Sequence, residues 1–254
     1  QLTSLDVSNN TALTTLVCHS NQLTSLDVSN NTALINLDCI FNQLTSLDVS
    51  NNTALSNLTC RSNQLTSLDV SNNTALIYLF CRSNQLTSLD VSNNTALTTL
   101  VCFNNQITSL DVSNNTALTV LACENNQLTS LDVRNGSNVN VTTFTSTNNS
   151  NLTCIYVDDT DYSNANWTNI DPASTFVNDE AECDAIALSA LWTLDSNGTG
   201  IYRPTNTASG EYSIAFGNGS NASGNRSMAM GDDSGASGYR STAIGTAASA
   251  QGDY

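Results

Sequence analysis

Seven aspartates, Asp6, Asp27, Asp48, Asp69, Asp90, Asp111 and Asp132, and six cysteines, Cys18, Cys39, Cys60, Cys81, Cys102 and Cys123, recur at a fixed interval of 21 residues. A column of carboxylates offers hard oxygen donors, suited to Ca²⁺ or to plain solvation. Carboxylates ~5 Å apart in water repel by about 0.8 kcal/mol per neighbouring pair, a cost that intervening Ser hydroxyls and water relieve. The pattern predicts a solvated stripe, with divalent cations bridging neighbouring positions as the alternative and no firm metal site. Interleaved Asp also argues against an ice-binding surface, despite the regular Ser and Thr rows.

The six periodic thiols contain no Cys-x-x-Cys pair, and a ladder of this kind does not converge ligands on zinc. Side chains on neighbouring in-register parallel strands have poor geometry for a bridge, so these cysteines are expected to be free, buried and apolar in behaviour. Cys154 and Cys183 stand outside the interval. They are expected to form a disulfide, closing a loop of about thirty residues and stabilising it by roughly 3 kcal/mol in the chain-entropy model. That bridge would imply an oxidising compartment.

Catalysis needs a nucleophile or an acid–base pair held in a cleft. The chain has one histidine, His19, at a position that varies between copies of the repeat. The acids Asp158, Asp159 and Asp161 fall in a turn-like segment, where solvation or cation binding is the expectation. No triad, phosphate loop or metal motif fits, so the chain is expected not to be an enzyme and to carry no cofactor, Ca²⁺ apart.

What would position these residues is the repeat itself. The unit LTSLDVSNNTALxxLxCxxNQ starts at Leu2, Leu23, Leu44, Leu65, Leu86 and Ile107, with a decaying copy from Leu128. Fixed self-similarity of this length is the signature of a solenoid. Each unit nests two half-patterns, LxxLDVSNN and LxxLxCxxN, each an alternating short strand followed by a turn-forming Asn. The fold class is therefore mainly β, with two short parallel strands per coil. Leu2, Leu5, Val7, Leu13, Leu16 and Cys18, with their equivalents, point inward; one coil cannot bury them alone but stacked coils can. Asparagines such as Asn31 and Asn52, and Asn42 and Asn63, are expected to form ladders satisfying backbone groups at the bends.

The run Leu34-Ile-Asn-Leu37-Asp-Cys39-Ile-Phe-Asn42-Gln-Leu44 resembles the leucine-rich-repeat family, and more closely its bacterial 21-residue subclass, common in secreted surface proteins. The resemblance covers residues 1–150 and implies a solenoid with a terminal cap over its apolar cross-section, expected at 151–183.

Copies within the chain can be compared. The half LTSLDVSNNTAL barely changes, whereas positions flanking the inward Leu and Cys of the other half change freely. By strand alternation these positions point outward on one sheet. They include His19, Ile40, Arg61, Tyr78, Phe80, Arg82, Phe103 and Glu124, with Phe41 beside them. Aromatic and Arg side chains on a rigid face are what binding hot spots use, so this is the candidate binding face, with a surface protein or glycan as partner.

After a connector at 184–210, a second period of 14 begins: Ser213-Ile-Ala-Phe-Gly217, Ser227-Met-Ala-Met-Gly231 and Ser241-Thr-Ala-Ile-Gly245. Ala222-Ser-Gly224, Ala236-Ser-Gly238 and Ala250-Gln-Gly252 alternate with them. These units resemble the head repeats of trimeric autotransporter adhesins, which implies a left-handed parallel β-roll over 211–254 and a homotrimer. So short a coil leaves little core for a monomer.

The formal net charge of −16 with only six Lys plus Arg disfavours nucleic acid and anionic membrane surfaces as partners. No run approaches the ~18 apolar residues of a spanning helix, so no membrane insertion is expected. The chain opens and closes within repeats and reads as a piece of a longer protein. The expectation is an extracellular or cell-surface adhesin, or a virion fibre, with a structural spacer of a filament or a phage-like tail fibre as the alternatives.

Overall fold

The computed structural model describes residues 1–191, 193–194, 201–202, 207–209, 212–217 and 219–251. They fall in two units, Gln1–Glu180 and Ala181–Tyr254.

In the first unit each Leu-x-Cys half-pattern makes one three-residue strand. Thr15–Val17, Asn36–Asp38, Asn57–Thr59, Tyr78–Phe80, Thr99–Val101, Val120–Ala122 and Thr143–Thr145 pair in that order as a seven-stranded parallel sheet. The register stacks Leu16, Leu37, Leu58, Leu79, Leu100, Leu121 and Phe144. The strands are short because each soon meets a left-handed residue that turns the chain: Ser20, Phe41, Ser62, Ser83, Asn104 or Asn125. Inward Leu, Val and Cys of all coils merge into one continuous core.

Asparagines close the coils. Asn42 Nδ2 donates to the carbonyls of Cys18 at 3.1 Å and Cys39 at 3.0 Å, and its Oδ1 accepts the Leu23 N–H at 3.0 Å. A second ladder runs through Asn52, whose Nδ2 donates to Val28 and Asn31 carbonyls. Both ladders therefore bind each coil to its predecessor through buried backbone groups that water cannot reach.

The expected second strand per coil needs correction. The Ser-Leu-Asp limb becomes a hydrogen-bonded strand only at Ser109–Asp111 and Ser130–Asp132. In the earlier coils it forms no strand ladder, and grooves run between neighbouring limbs, one lined by Ser67, Leu68, Asp69, Ser71, Ser88 and Asp90.

The stack also continues past residue 150. Cys154–Tyr156 and Thr175–Val177 add parallel rungs to Ser130–Asp132, making a four-stranded sheet. Aromatic residues replace Leu there: Trp167 stacks on Phe144 at 4.3 Å between centroids, Phe176 meets Trp167 edge-on at 5.8 Å, and Trp167 Nε1 donates to the Val141 carbonyl at 3.1 Å. A short helix, Thr160–Asn166, is capped by Asp159, whose side chain accepts the Tyr162 N–H at 2.9 Å. A second helix spans Glu180–Leu191.

The second unit is a narrow parallel roll. Ile214–Phe216, Met228–Met230 and Thr242–Ile244 pair in register on one side, and Asn221–Ala222, Gly235–Ala236 and Ser249–Ala250 on the other. Pairing reaches back into the expected connector, through Ile201–Tyr202 and Thr207–Ala208; residues 192, 195–200, 203–206 and 210 of that connector lie outside the described residues. The core is a column of alanines, Ala208, Ala215, Ala222, Ala229, Ala236 and Ala243. So small a core needs close backbone approach: a Cβ on Gly217, at φ +112°, would stand 2.6 Å from the Gly231 backbone.

Candidate binding face

The seven-stranded sheet sends its central residue inward and its two flanking residues outward, so Tyr78 is 43% exposed and Val17 60%, while Phe80 is half-buried. The positions after the inward Cys need a correction. His19, Ile40, Arg61, Arg82, Phe103 and Glu124 lie beyond the strand ends, between Cys and the left-handed residue, and form a rim along the sheet. Phe41 occupies a left-handed position itself, at φ 51°, where neighbouring coils have Ser20 and Ser62.

On the rim, side chains of adjacent coils pack together. The Arg61 guanidinium lies over the Phe41 ring at 5.0 Å and that of Arg82 over the Phe103 ring at 4.8 Å. Burial, followed by the neighbouring Arg61, lowers the Arg82 pKa, and Glu124 opposes the shift. Glu124 itself accepts from the Thr145 hydroxyl, Asp38 accepts the Ile40 N–H at 3.1 Å, and His19 Nδ1 sits 3.1 Å from Ser20 Oγ. Asn57 donates to Asn36 between strands.

The Asp column lies on the other limb. Asp6, Asp27, Asp48, Asp69, Asp90 and Asp111 each accept the N–H of the Ser two residues on. In Asp48 and Asp69 the Ser hydroxyl first, and then this N–H, hold the carboxyl below its usual range. Asp132 departs from the row, paired with Arg134 at 2.6 Å; Arg134 also reaches Glu180 at 3.3 Å and covers the Tyr156 ring at 4.9 Å. Among the described residues no three acidic, His or Cys side chains converge on a metal position. The acids of the 158–161 segment have structural tasks: Asp158 accepts the Gly136 N–H at 2.8 Å and Asp159 caps the helix.

The six periodic cysteines are free and buried, and Cys154 and Cys183 are disulfide-bonded. Desolvation pushes the Cys18 thiol up to about 11 and the deeper thiols further, which removes them as nucleophiles at neutral pH.

Residues 95–136 match the family model of leucine-rich repeats (2 copies), and residues 208–234 and 236–254 match the YadA head domain repeat. The chain therefore carries leucine-rich repeats of an internalin-like fold together with YadA head repeats. Among solved structures, the functional domain of InlJ from Listeria monocytogenes, described as including a cysteine ladder, is 44% identical over 61% of this chain and 36% of its own, with a TM-score of 0.55. An internalin of Listeria monocytogenes, inlF, is 25% identical over 62% of this chain and 52% of its own, with a TM-score of 0.50. The chain thus spans 36% and 52% of these two proteins. No curated protein matches its sequence. Among the described residues no helix is long and apolar enough to cross a membrane.

Proposed function

We propose that this chain is part of an extracellular adhesin that binds a surface protein or glycan through the outward face and rim of its seven-stranded sheet, and that self-associates as a homotrimer through its β-roll. The observation that carries the first half is the confinement of variation between coils. Outward positions at Thr15–Val17 and its equivalents change between most copies, while Ser4, Asp6 and Ser8 and their equivalents stay fixed through the six full copies, Arg134 replacing the Ser only in the decaying seventh. Both sets are exposed or half-buried, so tolerance at a solvated surface does not explain the difference. The adhesin reading, rather than a bare spacer, follows from variation that collects Tyr78, Phe80, Arg82 and Phe103 on one side.

The second half rests on the roll. Phe216, Met230 and Ile244 stack in register on its outer side, 40%, 37% and 68% exposed, beside a core of small buried Ala and Ser residues. A contiguous apolar row on so slender a unit is the kind of surface that another copy covers.

Replacing Tyr78, Phe80 and Arg82 with Ser, and measuring attachment to host cells and to a glycan array, tests the face. Attachment should be lost with folding intact; undiminished attachment leaves the spacer reading standing. Sedimentation equilibrium of Met230→Asp and Ile244→Asp variants tests the trimer, which should dissociate to monomer.

A further inference from the structure

We propose that Arg61 and Arg82, framed by Phe41 and Phe103 and standing beside Tyr78 and Phe80, form a docking site for the carboxylates of an acidic segment of a protein partner, whose apolar side chains lie against the aromatic rings. This rests on the reading of the variable face given above and narrows it to one place and one chemistry.

The chain has six cationic side chains, all arginine, against 22 acidic ones. Three belong to the first unit, and Arg134 is consumed by Asp132 and Glu180. The other two sit on adjacent coils, joined by the hydrogen bond from Ser62 N–H to the Arg82 carbonyl at 3.0 Å. Among the described residues no carboxylate makes an ion pair with either. The nearest acids are committed elsewhere, Asp38 to the Ile40 N–H and Glu124 to the Thr145 hydroxyl. In a solenoid with an Asp in every coil, two like cations adjoin here with no ion pair of their own among the described residues, Glu124 acting on Arg82 only through space. That arrangement costs repulsion that an external anion would turn into attraction.

The rings set the geometry. Each guanidinium lies over an aromatic ring, Phe41 or Phe103, which fixes its plane while leaving N–H edges available for a carboxylate oxygen. The two guanidinia lean toward opposite neighbours, Arg61 toward the preceding coil and Arg82 toward the following one, so each offers its own edge to a carboxylate of a segment lying along the rim. Phe41 is 52% exposed and held at φ 51°. A bulky residue in that conformation costs roughly 1–3 kcal/mol and persists where its position has a use. Ser stands at the equivalent place in three other coils, Ser20, Ser62 and Ser83, so the turn itself does not require a ring.

The composition favours a protein over a saccharide. Small ligands and sugars take concave sites, and the open grooves of this solenoid lie on the Asp side, for example at Ser46, Asp48, Ser67 and Asp69. The patch is a sheet margin carrying Tyr, Phe and Arg, the composition of protein–protein hot spots, and clustered Arg is the usual reader of acidic motifs.

A random peptide library displayed on phage, selected on the whole chain, tests this, with binding of the selected synthetic peptides then measured on variants. The expected result is enrichment of peptides that carry Asp or Glu beside an apolar residue. They should bind Arg61→Gln/Arg82→Gln about tenfold or more weakly, and their Asn and Gln analogues should bind the unmodified chain equally poorly. Peptides that bind the Arg variant unchanged overturn the proposal. If those peptides are lost on Tyr78→Ser/Phe80→Ser, the face reading survives without the carboxylate site; if neither variant matters, both fall. Enrichment of no peptide on the unmodified chain over the Arg variant, or Arg-dependent binding of heparin alone, also overturns it.

Discussion

Asn84 Oδ1 accepts the N–H of Leu65, a residue of the preceding coil, at 3.0 Å. The same amide donates to the carbonyls of Cys60 and Cys81, at 3.2 and 2.9 Å. Asn84→Ala strands the buried Leu65 N–H and leaves the Cys60 and Cys81 carbonyls with one donor each, Asn63 and Asn105, and should cost about 2–3 kcal/mol. The other ladder is less complete: Asn73 donates to Val49 and Asn52, but its Oδ1 is buried without a partner. Asn73→Ala removes that orphan along with the bonds and should cost less. Urea unfolding of the two variants side by side reads the difference.

Acid should loosen the solenoid. The Ser hydroxyls and N–H groups depress the carboxyl pKa values of Asp6, Asp27, Asp48, Asp69 and Asp90 in the folded state. A depressed folded pKa contributes stability that is complete above the unfolded value of about 3.9 and is lost as pH falls through the folded one. The melting temperature should hold from neutral pH to about 5 and drop below about 4. Asp48→Asn with Asp69→Asn should flatten that drop. A melting temperature that climbs on acidification would mean that repulsion between neighbouring carboxylates outweighs the Ser bonds. EDTA should leave it unmoved; a fall would put cations between the limbs.

Trp167 closes the end of the core. Trp167→Ala removes the stack on Phe144 and the bond to the Val141 carbonyl, a loss of about 3–5 kcal/mol. Amides of Thr143–Thr145 should lose hydrogen-exchange protection before those of Asn57–Thr59, because the stack would fray from the exposed end. Uniform loss along the sheet would instead show that the solenoid unfolds as one unit.

Gly231 and Gly235 should respond oppositely to a methyl group. A Cβ on Gly231, at φ +118°, would meet the Gly245 backbone at 2.6 Å, whereas one on Gly235 meets nothing within 4 Å. Gly231→Ala should abolish the roll's calorimetric transition and Gly235→Ala should preserve it, with the solenoid's own transition unchanged in both.

The inward Leu columns, the Asn ladders and the alternation at Tyr78–Phe80 were legible because a fixed interval maps directly onto stacked coils. The rungs at Cys154–Tyr156 and Thr175–Val177 were not. There Ile155, Phe144, Phe176 and Trp167 fill the Leu positions with other shapes, so the core continues while the pattern stops. The helix Thr160–Asn166 was announced by Asp159 with Asp161 in its first turn, a capping signature that reads equally as an acidic cluster. Phe41 meets Arg61 one residue short of the repeat interval, so comparing equivalent columns passed over the pair. That the Ser-Leu-Asp limb pairs as a strand only at Ser109–Asp111 and Ser130–Asp132 was not legible either, because the same residues stand in the coils where it does not pair.

The asparagine bonds that leave a coil go to the coil beside it. Splicing in or dropping a whole coil therefore leaves every remaining junction and the closing Trp167 intact. Reach becomes a quantity that heredity can change in notches of about 5 Å, independently of what the rim displays.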